Sequence, residues 1–233
     1  LPIDDALPAL LDALRDHGQA VLEAPPGAGK TTRVPLAIRD AGLGAGRILM
    51  LEPRRIAARA AAERMAQTLG ERVGATVGYR VRGEAKVSNT TRIEVVTEGI
   101  LTRMLQSDPS LEGVGTVIFD EFHERSLNAD LGLGLCLEVR EALRDDLQIV
   151  VMSATLDGAA VADLMGGAPV VRSPGRAFDV DLRWLDRPVP NERRFEAAVA
   201  ELVGRAVAER DGGVLVFLPG EGEIRRVMGL LDL

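Results

Sequence analysis

Continuous apolar runs alternate with helix-length segments from Ala20 to Met165, and this pattern constrains the fold more than any other feature. The runs predict strands at Ala20–Glu23, Arg47–Glu52, Ala75–Tyr79, Arg92–Thr97, Val114–Phe119 and Leu147–Met152. The segments between and after them predict helices at Lys30–Arg39, Arg55–Leu69, Glu98–Gln106, Leu127–Leu143 and Gly158–Met165. Because the apolar runs are continuous rather than alternating, the strands are expected to be covered on both faces by crossover helices. The pattern therefore predicts an α/β fold with a doubly wound, mostly parallel sheet.

The pattern changes after Ser173. A turn at Ser173–Arg176, an extended segment at Phe178–Leu185 and a proline-rich stretch at Arg187–Pro190 indicate a linker. Beyond it, the sequence predicts a helix, a strand and a second helix, at Glu192–Arg210, Val214–Leu218 and Glu221–Leu231. We therefore predict a first domain over residues 1–175, a linker over 176–191 and the incomplete beginning of a second α/β domain over 192–233.

Composition excludes several classes of protein. The single cysteine, Cys136, rules out an internal disulfide, and with two histidines it cannot build a zinc site. No apolar run reaches the roughly 18 residues of a membrane span, and no export signal precedes the first helix, so we expect a cytoplasmic protein without membrane contact. The net charge of −7 argues against a surface coated in positive charge, although it leaves room for a local basic track.

The segment Ala24–Thr31, which reads APPGAGKT, follows one predicted strand and opens the next helix. This is the context of a phosphate-binding loop, although the usual pattern has glycine where Ala24 stands. Small loop residues let the backbone approach phosphate groups closely. Lys30 is expected to bridge the β- and γ-phosphates of ATP, and the Thr31 hydroxyl to hold Mg²⁺. The candidate ATP-binding residues are Pro26, Gly27, Ala28, Gly29, Lys30, Thr31 and Thr32.

Two carboxylates, Asp120 and Glu121, follow the apolar strand at Val114–Phe119. Ligands of an open parallel sheet lie beyond the carboxyl ends of its strands, so both acids are expected on the same edge as the phosphate loop. Asp120 suits holding Mg²⁺ through its water shell, and Glu121 suits orienting the attacking water. Taken alone, the pair is equally typical of a solvated helix start. His123 is expected to link the nucleotide site to the second domain.

Taken together, these strings resemble the DEAH/RHA group of superfamily 2 helicases. They occur in that group's motif order, namely Ala24–Thr31, Pro53–Arg55, Thr97–Gly99, Asp120–His123, Ser153–Thr155 and Leu215–Gly220. The resemblance covers nearly the whole chain. Asp120–His123 reads Asp-Glu-Phe-His where the group has alanine in third place, a departure that is similar to a bacterial branch of the group.

The resemblance implies a RecA-like fold and an ATP-dependent RNA helicase with ATP and Mg²⁺ as cofactors and RNA, or alternatively DNA, as partner. It implies nucleic-acid backbone contacts for Arg54, Arg55 and Thr97, adenine stacking for Arg64, and coupling of hydrolysis to movement for Ser153 and Thr155. The rest of the second RecA-like domain, with its arginine fingers, and C-terminal domains are expected beyond Leu233. We therefore expect residues 1–233 alone to bind ATP or ADP weakly and to hydrolyse ATP poorly.

Two other functions remain open at the level of sequence. A P-loop enzyme of another class, such as a small-molecule kinase, would need an acceptor pocket and a lid, and it would leave the Arg54–Arg55 and Ser153–Thr155 strings unused. A nucleotide-dependent scaffold would bind ATP without separating strands. The arginine pair is also typical of a solvated surface, and Ser153 and Thr155 of helix caps.

Overall fold

The computed structural model describes residues 1–154, 158–174, 179–185, 188–189 and 195–231. The chain divides into two compact units, Leu1–Ala177 and Phe178–Leu233. Of the predicted linker at 176–191 the structure describes residues 179–185 and 188–189, and the rest lies outside the described ranges, as do parts of the predicted turn at Ser173–Arg176 and of the predicted segment at Phe178–Leu185. The described residues 179–185 carry no regular secondary structure.

The first unit is built on an open sheet of eight strands within the described residues. In chain order these are β1 (Gln19–Glu23), β2 (Arg47–Leu51), β3 (Val77–Val81), β4 (Glu84–Lys86), β5 (Ile93–Val96), β6 (Val114–Phe119), β7 (Gln148–Ser153) and β8 (Val170–Arg172). Their order across the sheet is β4-β3-β5-β2-β6-β7-β1-β8, and only the β3–β4 pair is antiparallel. The predicted mostly parallel α/β sheet is confirmed.

Six α-helices among the described residues of the first unit cover both faces of this sheet. They are α1 (Leu7–His17), α2 (Lys30–Asp40), α3 (Arg55–Thr68), α4 (Glu98–Ser107), α5 (Leu127–Ala142) and α6 (Gly158–Leu164). The apolar side chains of α1, α2 and α3 belong to one buried cluster, and those of α4, α5 and α6 to a second. This two-sided burial explains why the inner strands read as continuous apolar runs.

Several details of the first unit differ from the prediction, which named no helix at Leu7–His17. The strand expected at Ala75–Tyr79 lies at Val77–Val81, and the short outer strands β4 and β8 were missed. A three-residue strand is too short to show a periodic pattern, and Glu84 and Lys86 give β4 the composition of a turn. Gly83, with φ +81°, closes the tight connection from β3 to β4.

The second unit contains the helices α7 (Phe195–Glu209) and α8 (Glu221–Leu230), and the predicted helix start at Glu192 lies outside the described residues. The predicted strand at Val214–Leu218 is wrong, since the structure gives this segment no strand pairing. A strand satisfies its backbone hydrogen bonds through a neighbouring strand, and none of the described residues of this unit forms one beside it. Leu215 and Phe217 are accordingly exposed.

Among the helices of the described residues, none is both long and apolar enough to cross a membrane.

Candidate functional site

The carboxyl ends of the parallel strands meet at one edge of the sheet, and most candidate residues follow them directly. The phosphate loop follows β1, Glu52–Arg55 follow β2, Thr97 follows β5, Asp120–Glu124 follow β6, and Ser153 ends β7. In the sheet order, β7 lies between β1 and β6. The loop and the acidic pair are therefore separated by a single strand, as expected for a ligand site at the edge of an open sheet.

The phosphate loop owes its shape to two glycines in the left-handed region, Gly27 with φ +77° and Gly29 with φ +96°. Most side chains are strained at such angles, so glycine is required for the turn. Gly29 then forms the N-cap of α2, whose first N–H groups lack partners within the helix. Ala24 N donates to Ser153 O at 3.0 Å, and Ile3 N donates to Ala28 O at 3.2 Å. The loop is thus fixed at both ends around the start of a helix, an arrangement that suits anions.

The structure brings Lys30 and Glu121 into direct contact. Lys30 Nζ donates to Glu121 Oε1 at 2.9 Å, and the lysine side chain is only 4% exposed. A buried ammonium requires a partner, and Glu121 supplies it across the width of β7. The two motifs that the sequence places far apart therefore share one site.

Glu121 is held in an unusual backbone conformation. Its φ of +50° and that of Arg125, +48°, lie in the left-handed region, and a short 3₁₀ turn at Phe122–Glu124 lies between them. Such angles are costly for residues other than glycine and persist where the surroundings impose them, often at functional sites. Here the conformation follows the abrupt end of β6 and accompanies the contact between Glu121 and Lys30.

Asp120 is buried beneath this ion pair, with 5% of its surface exposed. Its Oδ1 accepts from Glu121 N at 2.8 Å, whereas its Oδ2 meets no hydrogen-bond donor in suitable geometry within the described part of the chain. Burial raises the pKa of Asp120 to about 6, against the opposing effects of the Thr31 hydroxyl and the Lys30 ammonium. A buried carboxylate oxygen without a partner, beside a threonine hydroxyl, fits the oxygen ligands that Mg²⁺ prefers.

Glu52 is a site residue that sequence reasoning missed. It follows β2, which pairs with β6, and is 4% exposed. Burial, together with the negative charges of Asp120, Glu121 and Glu124, raises its pKa to about 8. Its position after a buried strand is the same signal that identified Asp120, but its proximity to that residue depends on the sheet order, which the sequence does not state.

His123 lies between the acidic pair and the end of β7. Its Nδ1 accepts from Ala154 N at 3.3 Å and lies 3.4 Å from Glu121 Oε2. Ser153 and His123 are thus both joined to the nucleotide edge, while Thr155 lies outside the described residues.

The remaining candidates are spread along the same edge. Arg54 is 71% exposed and its Nη2 donates to Glu124 Oε1 at 2.8 Å, while Arg55 Nη2 donates to Arg82 O at 3.0 Å. Thr97 is the N-cap of α4. Arg64 is exposed on α3 and donates to Gln67 Oε1 at 3.2 Å, and within the described residues no hydrogen bond joins it to the phosphate loop.

The open parallel sheet carries a phosphate loop after β1 and, after β6, an acidic pair whose glutamate contacts the lysine of that loop. This combination defines a RecA-like P-loop core. The family model described as DEAD/DEAH box helicase matches residues 4–164, and the chain belongs to this family.

The chain is similar to bacterial RNA helicases of known sequence and structure. It is 52% identical over 228 residues to the ATP-dependent RNA helicase HrpB of Escherichia coli K12, with 97% of this chain and 28% of that protein covered. It is 37% identical over 238 residues to HrpA of the same organism, with 100% and 18% covered. The crystal structure of the E. coli DEAH/RHA helicase HrpB matches with a TM-score of 0.89 over 99% of this chain and 29% of that chain.

These matches confirm the predicted resemblance to the DEAH/RHA helicases. The chain spans less than a third of the length of the curated relatives it matches.

Proposed function

We propose that this chain is the motor portion of an ATP-dependent RNA helicase, in which hydrolysis of Mg-ATP drives movement along RNA or its unwinding, with DNA as the alternative track. In this proposal residues 1–175 form the first RecA-like domain, 176–191 the linker and 192–233 the beginning of the second. Further domains, as in the longer relatives, complete the protein. Family membership and the Lys30–Glu121 contact above the buried Asp120 support the proposal.

The chemistry follows from this arrangement. An ATP phosphate competes with Glu121 for the Lys30 ammonium, so Lys30 grips the β- and γ-phosphates and Glu121 becomes available to orient the attacking water. Thr31 and Asp120 would hold Mg²⁺, which would supply positive charge to neutralise the charge that develops on the phosphates. The loop residues Pro26–Gly29 and Thr32 enclose the phosphates, and Arg64 stacks on the adenine.

The remaining roles concern the track. Arg54, Arg55 and Thr97 contact the sugar-phosphate backbone of RNA, a mode of binding that tolerates any sequence. Ser153 and Thr155 couple hydrolysis to movement. The hydrogen bond from Ala24 N of the phosphate loop to Ser153 O and that from Ala154 N to His123 support a coupling role for this segment. A cytoplasmic location stays a prediction.

The two lysines of the chain provide a matched test of the nucleotide site. Lys30→Ala should abolish measurable binding of a fluorescent ADP analogue, because the buried cation that neutralises phosphate is gone. Lys86→Ala changes an exposed lysine on β4 and should bind as the unaltered chain does. Circular dichroism should show both variants folded. A folded Lys30→Ala variant with undiminished affinity would refute the proposed site.

Helicase activity requires a separate comparison, made on the whole protein. Stimulation of ATP hydrolysis by single-stranded RNA distinguishes a motor from a P-loop enzyme that acts on small molecules. Strand separation on an RNA duplex with an overhang distinguishes it from a nucleotide-dependent scaffold, which would hydrolyse ATP without unwinding.

A further inference from the structure

Glu23, the last residue of β1, is a buried carboxylate with no part in the proposed chemistry. It directly precedes the phosphate loop and is 3% exposed. Its Oε1 accepts from Gly158 N at 2.9 Å, and its Oε2 accepts from Arg172 Nε at 2.6 Å. A buried charge needs such partners, and here each oxygen has one, from a different part of the chain.

The backbone around Glu23 makes the same connections. Ser173 N donates to Glu23 O at 2.8 Å, and the next residue of the loop, Ala24, donates from its N–H to Ser153 O at 3.0 Å. Ser173 Oγ in turn donates to Pro2 O at 3.2 Å. The base of the phosphate loop is thus bonded to the end of β7, to the first residue of α6 and to the end of β8.

Gly158 shows how closely this junction is packed. A Cβ added at Gly158 would lie 2.4 Å from Glu23 Oε1, well inside the van der Waals distance. The carboxylate therefore lies directly against the start of α6, and a side chain at Gly158 would displace it. Arg172 and Ser173 are the last residues of β8 and the first beyond it, and from there the chain continues towards the second unit.

We propose that Glu23 is a positioning residue that couples the phosphate loop to the start of α6 and to the exit segment Arg172–Ser173. This inference rests on the proposed function, because it takes nucleotide binding as the event that displaces the loop. When the loop main chain moves, the carboxylate moves with it, and separation from Gly158 N or Arg172 would leave a buried charge unpaired. The start of α6 and the exit segment therefore move together with the loop.

Hydrogen exchange measured by mass spectrometry on residues 1–233 tests this coupling. In the unaltered chain, Mg-ADP should slow exchange in loop peptides at 24–33 and also in peptides at 158–174. Glu23→Ala should retain the effect in the loop and lose it at 158–174. Arg172→Ala should lose it at 170–174. Glu141→Ala removes an exposed glutamate of α5 and should leave both effects intact.

Glu23→Gln is a more conservative variant that tests the coupling even if the alanine variant misfolds. Its amide oxygen can still accept from Gly158 N but cannot neutralise Arg172, so the nucleotide effect should persist at 158–166 and weaken at 170–174. An unaltered chain in which ADP protects the loop alone, or a Glu23→Ala variant that keeps the distant effect, would overturn the coupling and leave the proposed function standing. Absence of protection in the loop itself, at Mg-ADP concentrations high enough to saturate the weak binding expected of residues 1–233, would overturn both.

Discussion

Single residues at the nucleotide edge bring together more carboxyl groups than the one buried lysine could balance if all of them were ionised. Glu52, Asp120, Glu121 and Glu124 interact electrostatically around Lys30. Burial and mutual repulsion raise the pKa values of Glu52 and Asp120. The sequence predicted the lysine and the acidic pair from their positions after strands, but it could not predict Glu52, because the neighbourhood of that residue is created by the pairing of β2 with β6.

Glu52→Gln should stabilise the chain in a pH-dependent manner. The folded pKa of Glu52, about 8, lies above the ordinary pKa of a glutamate, 4.5. The folded state therefore binds the extra proton between these values, and the contribution of Glu52 to stability is full below pH 4.5 and is lost as pH rises through 8. Denaturant unfolding without Mg²⁺ should show little difference between the variant and the unaltered chain at pH 5, and a gain of up to roughly 4 kcal/mol for the variant at pH 8.5.

A constant difference between the two proteins across this pH range would contradict the buried, proton-bound state of Glu52. The comparison cancels the titrating groups that do not interact with Glu52, since both proteins share them.

At the scale of elements, strands flanked by helices were predictable and strands at the margins were not. The strands β1, β2, β6 and β7 are buried on both faces. Such burial requires a continuous run of apolar residues, and that run is visible in the sequence. The outer strands β4 and β8 depend on pairing with one neighbour rather than on burial, so their sequences show no comparable pattern. The same reasoning explains why the strand predicted at Val214–Leu218 does not form. This apolar run has no partner strand among the described residues.

At Gly115, in β6, two segments of the main chain lie close together, and a substitution there tests how much this contact matters for stability. A Cβ there would lie 2.6 Å from Ala45 O, in the connection that leads into β2. Because the contact is with main-chain atoms, which cannot turn aside as a flexible side chain can, Gly115→Ala should destabilise the first unit by about 1–3 kcal/mol. Gly134→Ala, in α5, meets no atom within 4 Å and should stabilise by about 0.5–1 kcal/mol through reduced backbone entropy.

Denaturant unfolding of both glycine variants measures these effects. Equal stability changes of the same sign would show that the contact at Gly115 relaxes at no cost.

At the scale of the whole molecule, a net charge of −7 must be reconciled with the proposed grip on RNA. The two arginines at the start of α3 provide a local solution. Arg54 is mostly exposed and is paired with Glu124, and Arg55 is held by Arg82 O. A few positioned cations suffice for backbone contacts, while the overall charge limits nonspecific retention.

Removal of these arginines should change the salt dependence of RNA binding in the whole protein. Each Arg-to-Ala change at Arg54 or Arg55 should weaken affinity for all sequences alike and reduce the slope of log affinity against log salt by about 1. Arg15→Ala, on α1 and paired with Asp12, serves as the control and should leave the slope unchanged. An unchanged slope in the Arg54 and Arg55 variants would place the RNA track elsewhere.

The two outermost strands of the sheet, β4 and β8, are only three residues long, and this has a consequence for self-association. An exposed sheet edge is a template onto which another molecule can add a strand, as happens in aggregation. Here the long apolar strands lie between hydrogen-bonded neighbours, and the outer strands offer few free backbone groups, with Glu84 and Lys86 adding charge on one side. The first unit thereby protects its most aggregation-prone segments by their order in the sheet.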